Sequence, residues 1–505
     1  MEMKIIDIHC HMFNLKYLPV AGILVRYGNG LITHKMAMGI EWLLLKNTKQ
    51  SFPLDADSLD IYNQSGQQKE STYHFLGKEK MHFTIQDIPD FDSQKIVQSI
   101  TQMTQVDDLL NGDLKVALDE FEKLNEKELG NYYKNNFATE KDMLSYRLGL
   151  LNKMLHWIID KVNSLENYLR WFVFMTNSEE VIYNYINNKD EKIVLKFVHL
   201  MMDVDHFFNE NAHTLVYESY FNFANRQVDN MHQLMKKHDN LIGFVAFNPA
   251  RTDTMDIIKK AMSEYKFIGV KFYPPLGYKP DVDEVYSTEI ESLFTYCAAN
   301  KIPVFTHCNN KGFEAWPKPI YSGYKSNPKF WEQTLIKHPN LILCLGHAGG
   351  TQGWFSENKS GDETDPNKIF AKYILDNSEN QSKDWNHSYA ALVFKLCVIC
   401  ENVYCDASYL DEMIDTNGGI DETKKEIFIT RLSKLFKEQP KFAKRIMYGS
   451  DWHMLFQEGK NAVYLQTYID LFNDDRLLKY SDDFFFNNAL NYLNLKNSID
   501  TDQSV

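Results

Sequence analysis

Two histidines near the start of the chain have the spacing of metal ligands. His9 and His11 lie two residues apart in the segment DIHCH, within an apolar and β-branched run that predicts a strand. On a strand this spacing puts both imidazoles on one face, where they can reach the same metal ion. Asp7 shares that face by the same rule, and its carboxylate could accept an imidazole N–H and fix the tautomer of a ligand. Histidines used for packing or exposed at the surface are the alternative.

Three further polar residues end other predicted strands. His307 ends VFTH, His347 ends LCLGH and Asp451 ends MYGSD. Because the C-terminal ends of parallel barrel strands meet at one rim, we expect these side chains to join the two N-terminal histidines. A set of imidazoles with one carboxylate suits Zn, Mn or Fe(II) better than Ca or Mg. The sequence therefore predicts a transition-metal site, with Zn favoured.

Eight strand-like segments are available to position these residues. Short apolar runs bounded by turn residues recur with amphipathic helical segments between them, which predicts a parallel sheet. The count favours an α/β fold, a closed (β/α)8 TIM barrel. The predicted strands are KIIDIHCH at the start and then the segments 193–205, 241–249, 267–275, 302–310, 341–350, 402–410 and 445–454.

A long insertion separates the first predicted strand from the second. Helix formers at helical spacing fill 98–186, so we predict a mainly helical subdomain that caps the C-terminal face of the barrel. A helical bundle used only for oligomerisation is the alternative. The predicted domains are the barrel at 1–14 and 193–490, the insertion at 15–192 and a C-terminal tail at 491–505.

Composition narrows the class of protein. The 505 residues are 44% hydrophobic and 24% charged, as in a globular protein, and the net charge of -14 argues against a nucleic-acid partner. The sequence contains no signal peptide and no run long enough to span a membrane, so a cytoplasmic location without membrane association is expected. The seven cysteines form no spaced framework, so no disulfides are assigned. A small-molecule substrate is expected, and a homo-oligomer is left open.

The motifs DIHCH, GVKFYP, FTHC, LGHAGG and YGSDWH occur in an order that resembles the amidohydrolase superfamily. The resemblance is to its amidohydrolase-related (amidohydrolase 2) branch, which includes metal-dependent TIM-barrel hydrolases and nonoxidative decarboxylases of aromatic acids. It covers 1–14 and about 193–490, and the insertion has no counterpart. It implies His9, His11, His307 and Asp451 as metal ligands, with His347 beside the metal to polarise the substrate or transfer a proton.

Lys271 in GVKFY decides between one metal and two. In binuclear relatives a lysine at this position is carboxylated and bridges two metals, and His307 and His347 would then bind the second ion. In mononuclear relatives the lysine stays an amine, and we expect one metal. The residues Tyr273, Tyr278, Trp452 and His453 are candidate substrate contacts, with packing under the loop as the alternative for Trp452 and His453.

Three functions follow from these observations. In the first, a metal-activated water cleaves an amide, lactone or ester bond, with Asp451 as ligand and general base and His347 stabilising the oxyanion. In the second, the same ligands support nonoxidative decarboxylation of an aromatic or unsaturated acid. In the third, a non-catalytic barrel binds metal or ligand and uses the insertion to bind a partner; retention of the whole ligand set argues against it.

Overall fold

The computed structural model describes most of the C-terminal two thirds of the chain. Backbone contacts divide the protein into two compact units, Met1–Pro19 with Glu179–Val505, and Val20–Ser178. Most of the predicted helical insertion and the end of the predicted tail lie outside the described residues, so their structure stays a prediction. The described residues are 3–27, 37, 41, 44–45, 48, 171–172, 174–187, 193–204, 208–209, 216–217, 226–312, 322–357, 361–369, 384–415 and 418–495.

Eight parallel strands form the barrel that the sequence predicts. Each strand pairs in parallel with the next in chain order. Two hydrogen bonds connect the last strand to the first, from Ile8 N–H to the Tyr448 carbonyl at 3.2 Å and from Asp451 N–H to the His9 carbonyl at 2.8 Å. The strands are β1 (Met3–Cys10), β2 (Ile193–Leu200), β3 (Leu241–Ala246), β4 (Gly269–Phe272), β5 (Val304–Thr306), β6 (Leu343–Leu345), β7 (Val403–Asp406) and β8 (Ile446–Met447).

Helices follow the strands at most of the positions where amphipathic segments were predicted. A two-stranded antiparallel ladder, Phe208–Asn209 with Val216–Tyr217, lies outside the barrel sheet. None of the helices in the described ranges is long and apolar enough to cross a membrane. The α-helices are α1 (Val20–Tyr27), α2 (Glu179–Asn187), α3 (Val228–Lys237), α4 (Thr254–Ser263), α5 (Ser287–Asn300), α6 (Trp331–Lys337), α7 (Tyr389–Ile399), α8 (Glu422–Glu438), α9 (Pro440–Ala443), α10 (Trp452–Gln457), α11 (Asn461–Phe472) and α12 (Asn488–Tyr492).

The interior of the barrel is polar at the C-terminal ends of the strands and apolar next to them, further towards the N-terminal ends. Phe305 and Tyr404 belong to a buried core cluster that includes residues of α12. Because side chains on a strand alternate in direction, the residue two positions further on points the same way. Phe305 is followed in this way by His307 and Tyr404 by Asp406, so the apolar core supports the polar rim directly.

A β-bulge in β1 changes which residues face the barrel interior. Pairing with β2 slips by one residue between Asp7 and Cys10. Ile8 lies in the interior cluster, and the His9 ring packs edge-on against Phe305 of that cluster at 4.8 Å between ring centroids. An extra residue in a strand reverses the alternation beyond it. The bulge therefore turns His9 into the barrel, although the residue before it also points inward.

Candidate metal centre

The carboxylate of Asp451 lies between two imidazoles from β1. Its Oδ1 atom is 3.9 Å from His9 Nε2 and 3.7 Å from His11 Nε2. All three residues are buried, at 5%, 1% and 5% exposure respectively. Asp451 Oδ1 is a buried atom that also lies 2.9 Å from His453 Nδ1. Two ring nitrogens and one carboxylate oxygen thus converge on a small space.

The tautomers of His9 and His11 are set by acceptors behind them. His9 Nδ1 lies 3.0 Å from the carboxylate of Asp406, and His11 Nδ1 lies 2.7 Å from the Leu200 carbonyl. Each Nδ1 must carry a proton, because neither of these oxygens can donate one. In the neutral rings the lone pairs are then on Nε2, the atoms that face Asp451.

His9 Nε2, His11 Nε2 and Asp451 Oδ1 face one another, and a cation between them would be bound by all three. Burial and the nearby charge of His453 keep the pKa of His11 well below its ordinary value, so its ring is neutral. Burial opposes ionisation of Asp451, but His453 and His9 beside it hold its pKa well below the usual range. Two ligands of a tetrahedral zinc lie about 3.3 Å apart when each bond is about 2.0 Å long. The observed separations of 3.7 and 3.9 Å are close to this value, so the residues present fit a divalent metal.

The sequence analysis missed Asp406 and Ser408 at the end of β7. Asp406 is fully buried and accepts hydrogen bonds from the His9 ring and the backbone N–H of His347. Burial opposes its ionisation, yet the pKa of Asp406 is lowered because His9, His347 and Ser408 surround it. The missed signal is its position at the C-terminal end of a predicted strand, the criterion that selected His307, His347 and Asp451.

His347 and His307 form a second pair of imidazoles beside the first. His347 Nε2 is 3.1 Å from His307 Nδ1, and the far nitrogen of His307 is 2.6 Å from the Lys311 carbonyl. Burial lowers the pKa of His347 to about 4 and that of His307 well below its ordinary value, with other charges nearby adding to the effect. Both rings are therefore neutral at physiological pH.

Two groups of residues have ligand atoms close enough to hold one ion. The first is His9, His347 and Asp451, and the second is His11, Asp451 and His453. The structure thus brings His9, His11 and Asp451 together as predicted and adds His453, whose Nδ1 is 2.9 Å from Asp451 Oδ1. His307, predicted as a ligand, lies outside both groups and faces His347 instead.

Lys271 projects into the barrel above the core. Its ammonium is 4.4 Å from the centre of the Phe305 ring and has no hydrogen-bond partner within the described residues. Burial lowers the pKa of Lys271 to about 8. Tyr273, one of the predicted substrate contacts, has its ring 4.9 Å from that of His307 and is partly exposed. Both side chains therefore lie at the metal centre.

The predictions for Tyr278 and Asp7 need correction, and Trp452 takes the packing alternative. Tyr278 does not face a substrate, because it is fully buried and its hydroxyl donates to the Phe247 carbonyl. Trp452 packs under the site, where its indole N–H donates to the His11 carbonyl at 2.7 Å. Asp7 does not hold an imidazole, because the bulge leaves it facing away from His9, and Asp406 takes that role.

Asp7 instead fixes the loop that carries Asp451. It accepts hydrogen bonds from the backbone N–H of Ser450 at 2.9 Å, from the Ser450 hydroxyl at 2.5 Å and from the backbone N–H of His9 at 3.1 Å. Burial raises the pKa of Asp7 to about 7, although these hydrogen bonds oppose the change. The position of Asp451 therefore depends on a carboxyl group that is itself outside the metal centre.

Comparison with known proteins gives one match to a family. Residues 186–362, from the end of α2 to the loop after β6, match the family model described as Amidohydrolase. This match confirms, over these residues, the resemblance found in the motifs. A search of curated proteins found no match.

Several solved structures share the architecture at low identity. A structure described as an amidohydrolase II is 15% identical, with 62% of this chain and 88% of the other covered and a TM-score of 0.39. A zinc-bound amidohydrolase from Burkholderia multivorans is 10% identical, with coverages of 59% and 83% and a TM-score of 0.37. The structure of 4-oxalomesaconate hydratase from Rhodopseudomonas palustris is 9% identical, with 64% of this chain and 83% of the other covered and a TM-score of 0.35. At these scores the fold assignment rests on the strand pairing described above.

Replacing Asp406 by asparagine should weaken metal binding. Asp406→Asn removes the charge that keeps the proton on His9 Nδ1, and loss of such a partner typically costs about 10- to 100-fold in metal affinity. Competition with a chromophoric chelator measures the affinity. The exposed Asp475→Asn serves as the control and should match the unmodified protein. Equal affinity in both variants would show that Asp406 does not support a ligand.

Replacing Asp7 by asparagine should flatten the dependence of stability on pH. A carboxyl whose pKa is raised to about 7 on folding favours the folded state while protonated, so stability falls as pH rises from the unfolded pKa towards 7. The slope from this one group is about 1.4 kcal/mol per pH unit in that window. Urea unfolding of metal-free Asp7→Asn should show a shallower decline than Asp475→Asn. A parallel decline in the two variants would contradict the raised pKa.

Proposed function

We propose that this protein is a metal-dependent hydrolase that cleaves an amide, lactone or ester bond of a small molecule. The observation that carries the proposal is the convergence of the lone-pair nitrogens His9 Nε2 and His11 Nε2 on the carboxylate oxygen Asp451 Oδ1. One divalent ion, with Zn favoured and Mn or Fe as alternatives, would satisfy all three atoms. When bound there, such an ion lowers the pKa of a water molecule towards neutrality and polarises a carbonyl oxygen.

The residues around this position could supply the base and the hydrogen-bond donor that hydrolysis needs. Asp451 is ionised, so it can take a proton from the attacking water and deliver it to the leaving group. His347 can donate a hydrogen bond to the oxygen on which negative charge develops. His307 lies beside His347, and its Nδ1 would have to turn from His347 to the metal to act as the predicted ligand, because its other nitrogen is engaged by the Lys311 carbonyl.

One observation favours the second candidate function, nonoxidative decarboxylation of an acid. The buried ammonium of Lys271 has no hydrogen-bond partner within the described part of the chain and lies at the same rim. A substrate carboxylate would satisfy it. In that reaction the carbon–carboxylate bond breaks to release CO2, and a proton replaces it on the carbon. His453 contacts Asp451 from α10 and is a candidate to contact the substrate in either reaction.

Metal content is the primary test of the proposal. The purified protein should contain about one Zn, Mn or Fe per chain, and a His9→Ala, His11→Ala double variant should lose it. A His232→Ala, His387→Ala double variant, altered at two histidines that are partly exposed, is the matched control and should keep the metal. Elemental analysis gives the result. Absence of metal from unmodified protein that has been reconstituted with each ion would overturn the proposal.

Replacing Asp451 by asparagine should lower kcat/KM by about 10²- to 10⁴-fold, the usual contribution of a positioned acid–base group. Screens of lactones, amides and aromatic acids, with separate detection of CO2, supply the assay. Hydrolysis products without CO2 support the first function, and CO2 release supports the second. Asp475→Asn should retain full activity. An Asp451→Asn enzyme with undiminished kcat/KM would contradict the assignment of the base.

A further inference from the structure

The hydroxyl of Ser408 is surrounded by more acceptors than it has protons. Its Oγ lies 2.8 Å from His9 Nδ1, 2.9 Å from Asp406 Oδ1 and 3.0 Å from His347 Nδ1, and the side chain is fully buried. His9 Nδ1 already carries a proton for the Asp406 carboxylate, so it can donate to Ser408. The single Ser408 proton must then go either to Asp406 or to His347.

Asp406 does not need this proton. Its Oδ1 atom already accepts the backbone N–H of His347 at 2.5 Å and that of Ser408 at 3.3 Å. Its other oxygen accepts the ring N–H of His9 at 3.0 Å. A buried carboxylate with three N–H donors is well satisfied. Whether the Ser408 hydroxyl donates to His347 therefore depends on whether His347 Nδ1 is a lone pair.

The protons on His307 and His347 can be assigned by starting from the Lys311 carbonyl. His307 Nε2 faces the Lys311 carbonyl at 2.6 Å, and a carbonyl only accepts, so this nitrogen carries the proton. His307 is buried, and a buried imidazolium is costly, so the ring holds this one proton and its Nδ1 is a lone pair; the His347 Nε2 that faces it at 3.1 Å must donate. His347 is buried in the same way, and its lone pair is consequently on Nδ1.

Among the described residues, Ser408 alone can satisfy that lone pair. Two oxygens of Ser408 lie next to His347 Nδ1, the hydroxyl at 3.0 Å and the carbonyl at 3.1 Å. The carbonyl cannot donate, and a bare nitrogen facing it would be repelled. Without the hydroxyl proton, moving the ring proton from Nε2 to Nδ1 would turn this repulsion into a hydrogen bond with the carbonyl. The same move would leave two lone pairs facing each other at His347 Nε2 and His307 Nδ1, so each tautomer would then contain one unfavourable contact.

We propose that Ser408 is a positioning residue that holds His347 in the tautomer with the proton on Nε2. In this form the N–H of His347 is on Nε2, where it donates to His307 Nδ1; if a metal were to take up His307 Nδ1, this N–H would be available to a substrate oxygen. In the other tautomer it would present a lone pair and could act only as a base. The consequence for catalysis rests on the proposed function, whereas the tautomer itself is a property of the metal-free protein.

Nitrogen NMR of the metal-free protein tests the tautomer directly. Protein labelled with ¹⁵N in the histidine rings is stripped with a chelator and measured at neutral pH, and the His347 signals are identified by their loss in His347→Gln. The unmodified protein should show a protonated Nε2 and a bare Nδ1 at His347. In Ser408→Ala a second form with the proton on Nδ1 should appear beside the original one, because the backbone carbonyl of residue 408 becomes the sole partner of Nδ1 among the described atoms.

Two further variants make the result specific. Ser408→Thr keeps the hydroxyl and should restore the original tautomer, and Ser263→Ala, which removes an exposed helix hydroxyl, should leave it unchanged. With an active substrate in hand, Ser408→Ala should lower kcat by about 10- to 100-fold with KM little changed, and Ser408→Thr should recover it.

The unmodified protein alone can overturn the proposal, whether or not any variant folds. A protonated Nδ1 at His347 in that sample contradicts it, as does a Ser408→Ala spectrum identical to the original. Neither result depends on metal or substrate. A protein that binds no metal but shows the expected tautomers would therefore refute the proposed hydrolase while leaving the role of Ser408 intact.

Discussion

One buried carboxylate, that of Asp406, joins the strand ends that form the candidate metal centre. It accepts the ring N–H of His9 from β1 and the backbone N–H of His347 after β6, and it stands at the end of β7. Burying a charge is costly unless donors surround it, so these groups cannot turn away without a large loss. The same contacts decide which nitrogen of His9 carries a proton. The arrangement of the candidate ligands is therefore built into the strand ends.

The backbone departs from regular geometry at residues whose side chains belong to the candidate site. The bulge in β1 turns His9 inward, and both His347 and Asp451 adopt the left-handed conformation, with φ of 58° and 51°. Such a conformation costs about 1 to 3 kcal/mol in a non-glycine residue. Each of these residues is held by a buried hydrogen bond from its own N–H, His347 to Asp406 and Asp451 to the His9 carbonyl. Tertiary contacts thus maintain the strain that positions the ligands.

The sequence predicted the barrel because each strand has an apolar run, and it predicted the rim because polar residues end those runs. It could not reveal the bulge, since Asp7, His9 and His11 alternate as they would on a regular strand. Spacing alone therefore could not show that Asp406, and not Asp7, accepts the ring N–H of His9. Tyr278 was misjudged for a related reason: whether a loop residue faces solvent or core depends on packing, which pattern does not encode.

The buried ammonium of Lys271 is the charge at the rim that still lacks a partner. The carboxylates of Asp406 and Asp451 are ionised, and His11, His307 and His347 are neutral because burial lowers each pKa. The ammonium of Lys271 has no hydrogen-bond partner among the described residues, and burial lowers its pKa to about 8. Burying uncompensated charge is expensive, so a Lys271 that remains an amine is expected to meet an anionic group of the substrate.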